Sequence, residues 1–520
     1  MKNKKKKNAK INSFYVKKRE DLKNSINTFS KKVPLYDLFL NENNKLKLIE
    51  SIKTDSWYDS KIYNRNTIDD NKYTFIESDI EKPKHIYKCE KIILLPTIEQ
   101  KKILLNMLEG YRLIYNSTLK FIKTREYKNK VNKTIKVLSE EEKEINNYKK
   151  EIRNNKKKMS EKEKICSDIV DDIIGNVFKK EIRDFKVKTL QKNDNNDIIL
   201  DDKIIKTYFL KEEIHNVSKK FKTPVHTLNY AVQLACASYK SCLTNLKNGN
   251  IKNFNVRYLK SNKNSLIMDI EKTAFKSKGF FTSILGKEIN NTLNKEYNVL
   301  HDCKLHYNRN KDRLTLLIPK EIEPEYSIKQ NEYISIDLGV RTLMNCKTNK
   351  EYIKIGSNMQ TKLKKYIKRE EKYNLIKDFK KKDKLLKKIR EKISNNVNDL
   401  QWKTINYLTT NYKNIIIGKW STKSIISKKD SSLQKMTKKI IQRMSYYKLL
   451  ERLKYKSIIH NNNLIIKEEW YTSKMCTSCG NLKEDLGGAS EYNCSKCNLI
   501  TDRDYNGCRN IFLSCITKIN

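Results

Sequence analysis

A multidomain α+β fold is what this sequence predicts, ending in a mixed α/β domain, and three observations predict it. At 520 residues and 38% hydrophobic composition, the chain has room for three or four domains, each with its own core. Strand-like alternation near 85–95 and again over 264–319 brackets a helical block. From Tyr333 onward buried apolar strands take turns with helices, and the C-terminal stretch holds a four-cysteine cluster between two acidic segments.

In chain order, residues 1–83 are polar, rich in lysine and asparagine and weakly periodic, which predicts a basic, partly ordered extension. A strand pattern starts at His85, and Pro96-Thr97 opens a helix whose Ile103, Leu104, Leu108, Tyr111, Tyr115 and Leu119 share a face. Residues 84–125 thus hold a first strand piece and the start of a helical lobe, which continues over 126–263. Within that lobe, 129–200 reads as charged, solvated or coiled helix. Thr223-Pro224 caps a further helix ending at Gly249. Residues 264–330 alternate again as strands. Neither strand piece can close a core alone, so the two are expected to pair into one barrel-like domain with the helical lobe inserted.

Residues 331–471 carry three apolar strand patterns, around Ile334–Leu338, Ile415–Gly418 and Leu464–Lys467, separated by helices. That order predicts an RNase H-like sheet. Asp337 stands near the end of the first strand, where an ordinary turn aspartate and a functional carboxylate are equally natural.

Cys476 and Cys479 form one Cys-x-x-Cys knuckle and Cys494 and Cys497 another, fourteen residues later. This is the spacing of a structural zinc ribbon over 472–500. Four thiolates fill a tetrahedral Zn²⁺ and leave no open position for water. A redox role fits two separated knuckles less well. The remaining cysteines are scattered without a framework spacing, as in a reducing compartment. Residues 501–520 return to the α/β domain.

Lysine and arginine number 110 against 61 acidic residues, a formal charge of +49, which points to a polyanionic partner such as nucleic acid. No apolar run is long enough to span a bilayer and no secretion signal opens the chain, so a soluble intracellular protein without membrane association is expected. The basic helical stretch from Lys362 to Lys392 would suit a channel wall or a solvated face equally. Tyr446 and Tyr447 are read as core.

The segments SIDLGVRT (335–342), EEWYTSKMCTSCG (468–480), CSKC (494–497) and DRDYNGCRNI (502–511) together resemble the RuvC nuclease and zinc ribbon of TnpB proteins, and more closely those of Fanzor, their eukaryotic and giant-virus relatives. The strand-rich pieces are similar to that family's wedge and the helical block to its recognition lobe. The resemblance covers roughly 84–515 and is specific only in the C-terminal motifs. It implies an RNA-guided, metal-dependent DNA endonuclease, a monomeric ribonucleoprotein with guide RNA and target double-stranded DNA as partners. The expected compartment is the nucleus of a eukaryotic host, with the cytoplasm as the alternative. The competing reading is a guided or unguided DNA-binding protein without cleavage.

The resemblance also assigns the acids. Asp337, Glu469 and Asp504 would be catalytic, holding two Mg²⁺ ions through hard oxygen ligands. In most TnpB proteins the second acid follows the strand represented here by Ile415–Ile417, where this chain has Gly418. Fanzor carries that glutamate on the next strand, at the place of Glu469. Glu468 should face the opposite side. Asp502 is expected to be a surface acid pairing with Arg503 or Arg509, and Arg509 and Asn510 to contact phosphate and cap a helix.

Overall fold

A computed structural model describes residues 2–31, 48–53, 59–63, 73–123 and 202–519, apart from 79, 277–278, 287–288, 292–296, 298, 327 and 428–432. The charged helices expected over 129–200 lie outside the described residues. The chain divides into two units, Met1–Ile86 with Glu323–Asn520, and Tyr87–Ile322. No described helix is long and apolar enough to cross a membrane.

In the Tyr87–Ile322 unit the strand pieces from both ends of the segment meet in one five-stranded sheet, in the order Ser265–Ile270, Cys303–Asn308, Arg313–Ile322, Ile86–Leu95, Asn290–Asn291. Helix Ile98–Lys123 opens on a capping box. The Thr97 amide donates to Gln100 Oε1 (3.1 Å) and the Gln100 amide to Thr97 Oγ1 (3.2 Å). Its buried Leu104, Leu108, Tyr111, Tyr115 and Leu119 join Leu228, Ala231 and Ala235 of helix Val225–Lys247 and Met268, Leu305 and Leu316 of the sheet in one core. The 3.6-residue stripe and the period-2 alternation therefore bury into the same interior. Thr223 does not cap the second helix: its hydroxyl donates back to the Phe221 carbonyl, and Pro224 stands at the cap without a side-chain bond.

The other unit is built on a seven-stranded sheet, ordered Leu48–Lys53, Asp59–Tyr63, Tyr352–Ile355, Met344–Thr348, Asn331–Leu338, Tyr412–Gly418, Asn463–Lys467. The last three run parallel and the rest antiparallel. Parallel neighbours need long crossovers. Helices Met359–Asn374 and Phe379–Asn411 lie in the first, and Lys435–Met444 and Tyr446–Ile459 in the second. The extension expected over 1–83 belongs to this unit: two of its strands extend the sheet, and Tyr73–Phe75 pairs with Ile516–Ile519.

Alternation along the three parallel strands sorts their residues cleanly. Ile334, Ile336, Leu338, Ile415, Ile417 and Leu464 face Leu363, Ile393, Leu400 and Leu449 of the crossover helices. Tyr333, Ile416 and Ile465 face the opposite way, against Ile511 and Phe512 of helix Arg503–Leu513 and Leu22 and Ile26 of helix Lys2–Phe29. Asp337, Gly418 and Glu469 share the parity of this second set. Ile336 pairs with Ile417, and Ile417 with Ile466. Asp337 and Gly418 are consequently lateral neighbours on one face, on strands about 4.8 Å apart.

Candidate active site

Helix Arg503–Leu513 lies across the face that carries Asp337 and fixes what that side chain meets. Phe512 stacks on Tyr333, ring centres 4.3 Å apart, and Ser335 Oγ donates to the Cys508 carbonyl at 2.7 Å. One residue further toward the helix start, Gly507 passes over Asp337. A Cβ built there would stand 2.8 Å from Asp337 Oδ2, so only glycine lets the helix come this close. Asp504 follows at the helix start, and its charge acts on Asp337.

Glu469 reaches the same place from two residues past the end of the third strand, which closes at Lys467. A Cβ built on Gly418 would fall inside the Glu469 side chain, overlapping its Oε1, Cδ and Cγ. The glutamate thus occupies the space a side chain at 418 would use, beside Asp337. Its Oε1 is buried with no hydrogen-bond partner. Glu468 turns to solvent instead: it is exposed, accepts from Trp470 Nε1 at 2.5 Å and from Lys419 Nζ at 3.1 Å. Those two donors hold its carboxyl below the usual range.

Gathered in this way, the three acids resist ionisation. Burial, then the nearby Glu469 and Asp504 charges, push Asp337 well above the ordinary carboxylate range, with Arg503 opposing. Burial pushes Glu469 up to about 7. Asp504 is raised by burial and by Asp502, against Lys354, Arg503 and Arg341. A cluster of carboxylates that disfavours its own charge, one of them with an unsatisfied buried oxygen, is what a divalent cation relieves. The all-oxygen donor set suits Mg²⁺. Among the described residues, only the four cysteines bring three or more ligand atoms within 4.8 Å of one another. The three acids do not come together that tightly.

Three sequence expectations change here. Asp502 is not a surface acid paired with an arginine. It is buried, accepts from the amides of Asp504 (2.8 Å) and Tyr505 (3.1 Å) as the helix N-cap, and pairs with Lys354 at 2.9 Å. Arg509 makes no phosphate-facing surface: it is fully buried and donates to the carbonyls of Thr477 (2.6 Å) and Ser30 (2.9 Å). Asn510 caps nothing and binds the Thr472 and Met475 carbonyls instead. Short polar motifs look the same whether they face solvent or a buried backbone. Tyr446 is core, stacked on Trp420 and donating to the Gly339 carbonyl, but its neighbour Tyr447 is 73% exposed.

The cysteines Cys476, Cys479, Cys494 and Cys497 converge as their spacing predicts, with Sγ atoms 3.6 Å apart across both the 476–497 and 479–494 pairs. Each knuckle turns through a left-handed residue just after its second cysteine, Gly480 (φ 69°) and Asn498 (φ 56°). Four soft thiolates closing a tetrahedron fit Zn²⁺ in a structural role. Asn506 ties this module to the helix over Asp337. Its Oδ1 accepts from the Thr477 amide (2.9 Å) and its Nδ2 donates to the Met475 carbonyl (2.8 Å). Gly507 and Asn506 are functional positions that residue chemistry alone did not flag. The available signal was a glycine in the middle of a helix, where it costs stability unless something needs the room.

Comparison with known proteins places matches on these same segments. Residues 317–426 match a family model described as a probable transposase of the OrfB_IS605 type, and 446–511 one described as the Cas12f1-like TNB domain. The chain is 29% identical over 300 residues to TnpB-like protein L770 of Acanthamoeba polyphaga mimivirus, covering 55% of this chain and 56% of that protein. The match therefore spans about half the length of that relative. It is 24% identical over 494 residues to putative transposase R186 of the same virus, covering 89% and 88%. Over 92 residues it is 30% identical to the CRISPR-associated endodeoxyribonuclease Cas12f1 of Sulfoacidibacillus thermotolerans, covering 17% and 21%.

Proposed function

We propose that this chain, a relative of the TnpB-like proteins of a giant virus, is an RNA-guided endonuclease that cuts double-stranded DNA with two Mg²⁺ ions. The observation that carries the reading is Glu469 filling the space of the side chain Gly418 lacks, close enough to Asp337, as Asp504 is, for its charge to act on it. A glycine at 418 would otherwise argue for a protein that binds DNA without cutting it.

Asp337, Glu469 and Asp504 would hold the ions through their carboxylate oxygens. When bound, the metals supply an activated water and stabilise the departing 3′ oxygen. The chain's own residues set up that event. Asp502 caps the helix and so orients Asp504 without entering the site. Ser335 pins the helix to the strand, and Gly507 allows the carboxylate of Asp337 to lie under it. The formal charge of +49 supplies affinity for RNA and DNA backbones. Base pairing with a guide RNA would choose the target, while the strand-rich unit and its helices would read a short flanking duplex motif.

The test is programmed cleavage. The protein is purified with RNA transcribed from the DNA flanking its gene, the bound RNA is sequenced, and a matching duplex is offered with Mg²⁺. Cutting that disappears in Asp337→Ala and in Asp504→Ala, with RNA binding retained, supports the reading. Guided binding without cutting by the wild-type protein leaves the DNA-binding alternative.

A further inference from the structure

We propose that Phe14, Tyr15 and Trp470 form a base-stacking platform for a single nucleic-acid strand at the rim of the carboxylate site. The inference rests on the nuclease reading above, since it names how the strand to be cut is held.

Three aromatic rings meet here although Phe14 and Tyr15, on helix Lys2–Phe29, are more than 450 residues from Trp470 in sequence. Phe14 and Trp470 lie edge to face with centres 5.9 Å apart, and Tyr15 and Trp470 likewise at 5.0 Å. Such a cluster would normally be interior. Phe14 is nevertheless 45% exposed and Tyr15 37%. Rings packed only to dock a helix bury themselves; these keep open π-surface while fixed in place.

The indole is also held in orientation. Its Nε1 donates to Glu468, which Lys419 holds in turn. Trp470 therefore cannot swing freely, and it directly follows Glu469, whose carboxylate points into the site. A base stacked on this rim would place its phosphate within a nucleotide or so of the metal ligands.

Charge selects the occupant. Lys17, Lys18 and Arg19 follow the two helix aromatics, Lys18 Nζ lies 5.7 Å from the Phe14 ring, and Lys419 is exposed beside Glu468. Exposed aromatics interleaved with cations are the chemistry that binds single strands without sequence preference, bases on rings and phosphates on ammonium groups. A paired duplex offers no free base face, so the surface fits an unpaired strand.

The test uses full-length protein carrying Asp337→Ala to prevent cutting, and two fluorescent 12-nucleotide probes, oligothymidylate and an abasic strand with the same phosphates. The parent should bind the thymidylate strand about 5- to 150-fold more tightly, the range for one stacked base. Phe14→Ala with Tyr15→Ala should remove that preference, and Trp470→Phe should keep most of it. Equal affinity of the parent for both probes overturns the platform, whatever the variants do to folding. So does a preference that survives in the double variant. Loss of guided cleavage in the wild-type protein, with the base preference intact, would instead fail the nuclease reading and leave the platform standing.

Discussion

The Glu469 carboxylate sits where a side chain on Gly418 would have to be. Gly418 ends one strand and Glu469 stands two residues past the end of its parallel neighbour, whose last residue, Lys467, lies opposite Gly418. The chain therefore bends the glutamate back by about one pleat to reach the vacant position. The glycine is a requirement of this arrangement.

That steric exchange makes an ordered set of expectations. Glu469→Gln should abolish Mg²⁺-dependent cutting, at least about 100-fold, with little change in melting, because a ligand charge is lost and the shape kept. Glu468→Gln, which points to solvent and keeps an amide oxygen to accept from Trp470 Nε1, should cut at near the wild-type rate. Gly418→Ala should displace Glu469 and lower cutting although nothing charged has changed. Restoring an acid on the older strand needs Gly418→Glu with Glu469→Gly, since a glutamine at 469 would still fill the space. Rates on one guided duplex decide all four.

Gly507→Ala separates stability from activity. In a helix interior alanine is worth about 1 kcal/mol more than glycine. Here its Cβ would press on Asp337 Oδ2, whose position the metals depend on. Cutting should fall about 10-fold or more while thermal stability stays within about 1 kcal/mol of wild type. Unchanged cutting would show that the helix can lift without disturbing the site.

Metal removal should expose the strain among the acids. Asp337, Glu469 and Asp504 all carry raised pKa values, Glu469 up to about 7, so the folded metal-free protein binds protons more tightly than the unfolded chain. The resulting penalty is absent below the ordinary carboxylate range near 4 and grows as pH rises through about 7. In EDTA, melting should therefore drop between pH 5 and 8 on account of this cluster. Mg²⁺ should reverse the drop, and Asp337→Asn should blunt it while abolishing cutting. A melting curve with the same pH slope in Asp337→Asn would place the sensitivity elsewhere.

How much of this was legible in the sequence follows from what each signal encodes. The zinc knuckles could be read because metal geometry fixes both residue type and spacing. The apolar strand before Glu468 and Glu469 could be read, but it ends at Lys467, so the period of two does not by itself set which of the two glutamates turns inward. The fate of Gly418 needed a family resemblance, since a missing acid does not say where its replacement stands. Asp502 and Arg509 were misread for a different reason. A helix N-cap and a buried arginine bonded to carbonyls depend on which backbone groups arrive from elsewhere, here Ser30 and Thr477, and no local pattern carries that. The strands at Leu48–Lys53 and Asp59–Tyr63 were hidden by their polar composition, and as the outermost pair of the sheet they have less need of an apolar pattern.

The buried arginine gives the last expectation, because it joins the zinc module to the catalytic helix. Arg509 and Asn510 both reach the segment around the first knuckle, through the Thr477, Thr472 and Met475 carbonyls, and Asn506 accepts from the Thr477 amide. Cys476→Ser should lose stoichiometric zinc and, with it, the folding energy that a structural site contributes. The same bonds should carry the damage to helix Arg503–Leu513 and hence to Asp504, so cutting should fall even though no cysteine touches substrate. Arg509→Met, which keeps bulk and removes the donors, leaves buried carbonyls unpaired at a cost of about 1–3 kcal/mol. It should retain zinc and still cut slowly. If Arg509→Met cuts normally, the ribbon and the site are mechanically independent; if it loses zinc, the arginine belongs to the ribbon's fold and not to its coupling with the acids.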